Sequence, residues 1–398
     1  MSGPTTLLSP LMLDGVRIAN RLGLGPINPG FFEEDGSASD AVRNFYADFV
    51  HGGIGLVYIG GVAVSPDGRS NAVSLVADRC SAVHGIADIA SIVHGSGSVL
   101  AVQLMHAGRQ ASSLELGSEL LAASSIPCRV YRERPQEASV AHIRRLVEQF
   151  QSAAGLVQDA GADIVEIHAA HGYLLSGFLS ANSNRRSDAY GGSTLNRFRI
   201  LRQVLEAVRS AVDCPVGVRV NVAENVSEDA LGIEELLGGL DSIRDYLSFV
   251  SVTAGVYTTG EDWIIPRRAL GPVLWQRQAG IIRRALGVPV MLAGNISTPE
   301  LANGVIIDGD ADLALMVRAL LADPSLLAKW SEDRRGDIQP CTELMLCKYH
   351  SRGRRNVYCP FNHVLHSQLH PRRPRGVQLD VLQGRILGER REEREEAG

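Results

Sequence analysis

Lysine is nearly absent: among 39 lysines and arginines only Lys329 and Lys348 are lysines, a bias that fits a GC-rich gene better than any chemistry. An excess of charge of either sign is lacking too. At a net charge of −5 the chain has no global electrostatic reason to bind nucleic acid or an anionic membrane surface. No apolar run approaches the ~18 residues that a membrane span requires. The opening stretch MSGPTTLLSPLMLDGVRIAN has no basic segment ahead of an unbroken apolar core. A cytoplasmic protein acting on small molecules is therefore expected, with neither nucleic acid nor membrane as partner. In that reducing compartment the six cysteines are expected as free thiols or metal ligands rather than disulfides. A G-x-G-x-x-G motif after the first strand is missing, which argues against an open dinucleotide-binding sheet.

What is present is alternation. Short β-rich apolar runs recur at 20–26 (NRLGLGP), 54–61 (IGLVYIGG), 99–106 (VLAVQLMH), 163–170 (DIVEIHAA), 215–222 (PVGVRVNV), 247–255 (LSFVSVTAG), 289–295 (PVMLAGN) and 313–320 (LALMVRAL). Segments of helical period separate most of them, such as HIRRLVEQFQSAAGLVQDAGA before the fourth and LNRFRILRQVLEAVRSAV before the fifth. Alternation implies parallel strands, and strands apolar at nearly every position must be covered on both faces. Such units close most simply into an α/β fold of the (β/α)8 TIM-barrel type, with an open doubly wound sheet as the alternative. The expected limits are residues 1–335 for the barrel and 336–398 for a C-terminal tail carrying Cys341, Cys347 and Cys359. About 60 residues are too few for a separate nucleotide-binding domain. The 107–142 segment is long, contains Pro127 and Pro135, and reads as a lid or cap.

The stretch EIHAAHGYLLSGFLSANSNRRSDAYGGSTLNRFR, residues 166–199, sets His168, His171 and Tyr173 close together where the fourth apolar run stops. In such a barrel catalytic groups sit at the C-terminal ends of strands. Two adjacent imidazoles can donate to one carbonyl or phenolate oxygen and stabilise charge that develops there. Tyr173 could then supply a proton, its phenol being a weak acid used through geometry. The plainer reading is that the histidines cap backbone groups or bind a metal, for which no third ligand stands at a recognisable spacing.

The same residues resemble the signature of the old yellow enzyme family of FMN-dependent oxidoreductases. It is matched here by HAAHGYL, FLSA, NRRSDAYGGS and NR, with Ala181 in place of the usual proline. The likeness extends over about 7–330, through LLSPLMLDGVRIANRLGLGP as the opening strand, VQLMHAGRQ, PVGVR, LAGNISTPE and MVRALLADP. It implies that His168 and His171 hold the activating group of the substrate and that Tyr173 protonates its α-carbon. It implies Gln103 on the flavin pyrimidine edge, Arg219 near flavin N1 and O2, and Pro26, Ile27 and Gly61 along the flavin, glycine permitting close approach. Gly294, Asn295 and Arg318 match the site that receives the FMN phosphate, where backbone N–H groups and a guanidinium suit an anion. A purely structural Arg219 would need a carboxylate partner that the sequence does not reveal.

There are departures from the family. Asn28 stands where many relatives carry threonine or cysteine against the flavin, and offers an amide instead. Val317 stands where glycine is common, and its β-branch excludes a positive φ. The tail resembles the iron–sulfur segment of larger relatives such as 2,4-dienoyl-CoA reductase and trimethylamine dehydrogenase. Leu344 occupies a cysteine position, however, and three thiolates leave a cubane one ligand short. No cluster is expected, and Cys341, Cys347 and Cys359 are weak metal candidates only. The implied function is reduction of the C=C bond of an α,β-unsaturated carbonyl compound, with FMN as cofactor and NAD(P)H as reductant. Alternatives are an amine dehydrogenase or N-demethylase, and a flavin-holding subunit dependent on a partner protein. The partner is thus a small enone-type molecule, with a homo-oligomer or an electron-donor protein left open. Substrate choice would fall to the 107–142 segment and to VYTTGEDWIIP (256–266), where Trp263 is a candidate pocket wall.

Overall fold

The computed structural model describes residues 5–78, 80–224, 230–257, 261–347 and 357–362. Two three-residue strands, β1 (Leu11–Leu13) and β2 (Val16–Ile18), form an opening hairpin. Then come β3 (Leu22–Leu24), β4 (Leu56–Ala63) and β5 (Val99–Met105). The short strands β6 (Leu121–Ala122) and β7 (Gln136–Glu137) pair with each other. The series ends with β8 (Ile164–Ala169), β9 (Val216–Asn221), β10 (Phe249–Thr253), β11 (Val290–Ala293) and β12 (Leu313–Met316). Apart from the hairpin and the β6–β7 pair, the strands are parallel neighbours in chain order, and β12 pairs with β3 to close a barrel. The expected (β/α)8 TIM barrel is the observed fold. The last apolar run splits, since the helix Arg318–Ala322 starts two residues after β12.

The outer helices follow the period read from the sequence. Val140–Asp159 begins at Ser139, whose hydroxyl accepts the His142 N–H, and it buries Ile143, Leu146, Phe150 and Val157 on one face. Thr194–Ala211 buries Leu201, Val204, Leu205 and Val208 in the same way. Each such side chain contributes roughly 1.5–3 kcal/mol over leaving it exposed.

Inside the barrel the chemistry changes along the strands. Leu56, Val99, Ile164, Phe249, Met291 and Leu313 pack with Leu11, Leu13 and Ile18 of the hairpin, which plugs that end. The hairpin turn at Asp14 and Gly15 has φ of 42° and 88°, as a two-residue I′ connection requires. Further along, the register sets Gln103 beside Glu166, and His168 beside Arg219, which is itself beside Ser251. Polar side chains therefore collect toward the C-terminal mouth. The 107–142 segment is an ordered excursion: Arg186 donates Nη1 to the carbonyls of Ala123 (3.1 Å) and Ala138 (2.7 Å), tying it to the loop after β8. Among the described residues no helix is long and apolar enough to cross a membrane.

Candidate active site

One cavity of about 680 Å³ opens at this mouth. His168, His171, Tyr173, Pro26, Ile27, Asn28, Gly61, Gln103, Arg219, Gly294, Asn295 and Arg318 all line it, as do Cys341 and Cys347 of the tail. Its size is that of a cofactor or ligand pocket.

His168 lies near the end of β8, and its Nδ1 accepts the Ala170 N–H at 3.2 Å. Its Nε2 sits 3.3 Å from His171 Nδ1, and His171 Nε2 sits 3.1 Å from the Thr253 hydroxyl. His171 itself is held by its N–H donating to Asn221 Oδ1 (3.2 Å). The Tyr173 ring stands edge-on to His168, centroids 5.0 Å apart, and its hydroxyl is 2.9 Å from that of Tyr257. Burial, then His171 and Arg219, hold the His168 imidazole well below its ordinary range. Burial, then Arg219, push His171 down to about 3. Both rings are thus neutral donor–acceptor groups. A ring-nitrogen NMR titration should record no protonation of either between about pH 5 and pH 9; a step near the ordinary 6.5 would contradict this.

Arg219 has the carboxylate partner that the sequence left hidden. Glu166, wholly buried two residues before His168, accepts from Arg219 Nε (2.8 Å), Gln103 Nε2 (2.6 Å), the Tyr58 hydroxyl (3.0 Å) and the Ser251 hydroxyl. A buried guanidinium here has a structural reason as well as access to the cavity. Its five N–H groups are not exhausted by the contacts to Glu166. The Gln103 amide is oriented by the same carboxylate: Nε2 must face an acceptor-only group, which leaves Oε1 as the acceptor for a ligand.

Other assignments shift in detail. A Cβ on Gly61 would lie 2.3 Å from Met105 Sδ, so the missing side chain there makes room for protein. Gly294 likewise faces Leu274 O at 2.6 Å. Asn28 uses Oδ1 to accept the Gly30 N–H. Val317 has a φ of −127°, which a β-branched residue tolerates. Much of the long motif is scaffold: Arg186 grips Asp188, and a Cβ on Gly191 would meet Arg186 O at 2.2 Å. Trp263 does line the cavity, 5.7 Å from Trp275 by ring centroids.

At the opposite end of the cavity, Asn295 Oδ1 accepts from Arg318 Nη2 (3.1 Å), and Arg318 also bonds Pro266 O. Arg318 Nη1 pairs with Glu343 of the tail at 3.2 Å, and Glu343 further accepts the Arg268 N–H at 2.9 Å. Val357 N–H donates to Pro29 O, so the described part of the tail lies over the cavity. Burial raises the Cys359 thiol. Among the described residues no three His, Cys, Asp or Glu are grouped to hold a metal ion. Glu166, Thr253 and Glu343 were not legible as site residues, and Tyr257 was marked only as part of the 256–266 segment. Glu166 did carry a signal, as a lone acid in an apolar strand at the alternate position to His168.

The family model described as NADH:flavin oxidoreductase / NADH oxidase matches residues 6–337. The chain belongs to that family. The resemblance to old yellow enzymes is thereby borne out, and the chain is an FMN-dependent oxidoreductase with NAD(P)H as reductant. It is 32% identical over 323 residues to an NADPH dehydrogenase of Geobacillus thermodenitrificans, covering 80% of this chain and 92% of that one. An NADH oxidase of Thermoanaerobacter brockii is 31% identical over 345 residues, covering 84% of this chain; the chain spans about half that relative's length, 52%. In fold, it resembles a 2-naphthoyl-CoA reductase (TM-score 0.85, 24% identity, 92% of this chain and 58% of that). It also resembles the old yellow enzyme homologue of Zymomonas mobilis (TM-score 0.72, 23% identity, 82% and 93%).

Proposed function

We propose that the chain reduces the C=C bond of α,β-unsaturated carbonyl compounds, with His168 and His171 holding the carbonyl oxygen and Tyr173 protonating the α-carbon. The observation that carries this reading is the pair of buried, neutral imidazoles with a phenol against them at the barrel mouth. Neutral N–H donors in a buried site suit an oxygen that gains negative charge during reaction. A cationic amine would find no counter-charge in them. The Thr253 hydroxyl can donate or accept, so it supports either tautomer of His171 and lets Nδ1 become a donor when an oxygen takes the place of His168.

The residues present fit FMN. Pro26, Ile27, Gly60 and Gly61 offer a flat wall, Gln103 Oε1 an acceptor, and Arg219 positive charge. Arg318 with the backbone N–H groups of Gly294 and Asn295 offers an anion site. When bound, FMN supplies the redox chemistry, taking a hydride from NAD(P)H and passing one to the alkene β-carbon. We assign residues 1–335 to the barrel and 336–398 to a tail, whose residues beyond 362 lie outside those described, as do 348–356.

Glu343 competes for the anion site, because a carboxylate and a phosphate seek the same guanidinium. Glu343→Gln is therefore expected to tighten FMN binding about tenfold in a flavin-fluorescence titration. Riboflavin, which has no phosphate, should bind both forms alike. Equal FMN affinities would contradict the competition.

The reading is tested by incubating the purified protein with NADPH and 2-cyclohexenone. Cyclohexanone formed in step with NADPH consumption is the expected result. Oxidation of methylamines with a dye acceptor, and no enone reduction, would overturn it.

A further inference from the structure

The hydrogen bonds through the two imidazoles have a fixed direction. His168 Nδ1 faces the Ala170 N–H at 3.2 Å and must accept, so the one proton of that neutral ring is on Nε2. Nε2–H points at His171 Nδ1, 3.3 Å away, which must accept in turn. The His171 proton is thereby placed on Nε2, with the Thr253 hydroxyl at 3.1 Å as its acceptor. An oxygen held by both rings needs a second N–H beside that of His168, and His171 offers one only if its proton is on Nδ1. Nε2 is then an acceptor, and the group facing it must donate. Thr253 ends β10 beside Asn221 of β9, whose Oδ1 accepts the His171 N–H at 3.2 Å, and Val256 bridges to His171. The His171 backbone is thus held on both sides, whereas a hydroxyl hydrogen rotates to suit its partner.

We propose that Thr253 is a positioning residue that sets the tautomer of His171: it accepts from Nε2–H in the empty pocket and donates to Nε2 once a substrate oxygen occupies the pair, so that His171 Nδ1–H and His168 Nε2–H both hold that oxygen. The assignment rests on the ene-reductase reading. The ring stays neutral throughout, because the proton given up at Nε2 is matched by one gained at Nδ1 through exchange with solvent. As hydride addition at the β-carbon moves an electron pair onto the carbonyl oxygen, Nδ1–H is drawn toward that oxygen and Nε2 gains negative character. The hydrogen bond from Thr253 then becomes charge-assisted, and such bonds are roughly twice as strong as neutral ones. Thr253→Val removes one neutral hydrogen bond from the empty pocket and one from the occupied pocket, losses that offset each other in binding. The added strength exists only while charge develops, so it belongs to the rate.

The test uses the FMN-loaded enzyme with 2-cyclohexenone as the probe. Ring-nitrogen NMR of the unreduced wild type should place the His171 proton on Nε2 before the enone is added and on Nδ1 afterwards, with His168 protonated on Nε2 in both. In Thr253→Val, reoxidation by the enone is expected to slow about tenfold, with reduction by NADPH and the enone dissociation constant each within about twofold of wild type. Thr253→Ser keeps the hydroxyl and should react within about twofold of wild type. A His171 proton that stays on one nitrogen, or Thr253→Val and Thr253→Ser enzymes that react alike, would overturn the proposal. So would an equal slowing of both half-reactions in Thr253→Val, or a weaker enone complex at an unchanged rate. A wild-type flavin that the enone does not reoxidise would remove the ene-reductase reading itself, whatever residue 253 carries, and the proposal with it.

Discussion

In Tyr173→Phe, enone-driven reoxidation is expected to fall by ~10²–10⁴-fold, the usual contribution of one positioned general acid. Reduction by NAD(P)H should stay within about twofold of wild type, since that half-reaction needs no proton from Tyr173. The asymmetry follows from placement. The phenol stands edge-on to His168, which with His171 is proposed to hold the carbonyl, and its hydroxyl is 2.9 Å from that of Tyr257. Stopped-flow measurement of both half-reactions checks this, and an equal loss in both would show that Tyr173 shapes the cavity and does not donate. The enone dissociation constant should change little if, as proposed, the imidazoles carry the binding contact.

Replacing Glu166 should be the most damaging single change to stability in this region. Its carboxylate is wholly buried and is the counter-charge of Arg219, whose side chain is only 4% exposed. Removing one partner of a buried pair leaves an uncompensated charge, at a cost of about 3–5 kcal/mol. Glu166→Gln keeps the shape but removes the charge and turns one acceptor oxygen into an amide donor facing other donors, so the loss seen in urea unfolding combines both effects. An exposed pair such as Arg43 with Asp40, 40% and 96% exposed, provides the contrast; its removal should cost roughly 0–1 kcal/mol. Equal effects at the two sites would contradict the role of burial. The same variant should weaken FMN, since Gln103 and Arg219 lose the group that orients both.

The barrel was legible because parallel strands buried on both faces leave apolar runs, and all eight runs contain or overlap a strand of it. The hairpin plug was folded into the opening strand, although Asp14-Gly15 between apolar residues is a strong turn signal. Strands of three residues leave too little periodicity for that signal to stand out. His168, His171 and Tyr173 were legible because they sit together in one motif. Glu166 was not, because its meaning depends on register: only pairing of β8 with β5 and β9 brings Gln103 and Arg219 to it. Tyr257 and Glu343 reach the cavity from loops, where sequence distance from Tyr173 and Arg318 says nothing of proximity.

The central claim is that electrons pass from NAD(P)H through a flavin to an activated alkene held by the histidine pair. An anaerobic visible spectrum of the FMN-loaded protein, recorded first with NADPH and then with 2-cyclohexenone, tests it most directly. The flavin bands should bleach on the first addition and return on the second. A flavin that bleaches and stays reduced in the presence of the enone would contradict the account.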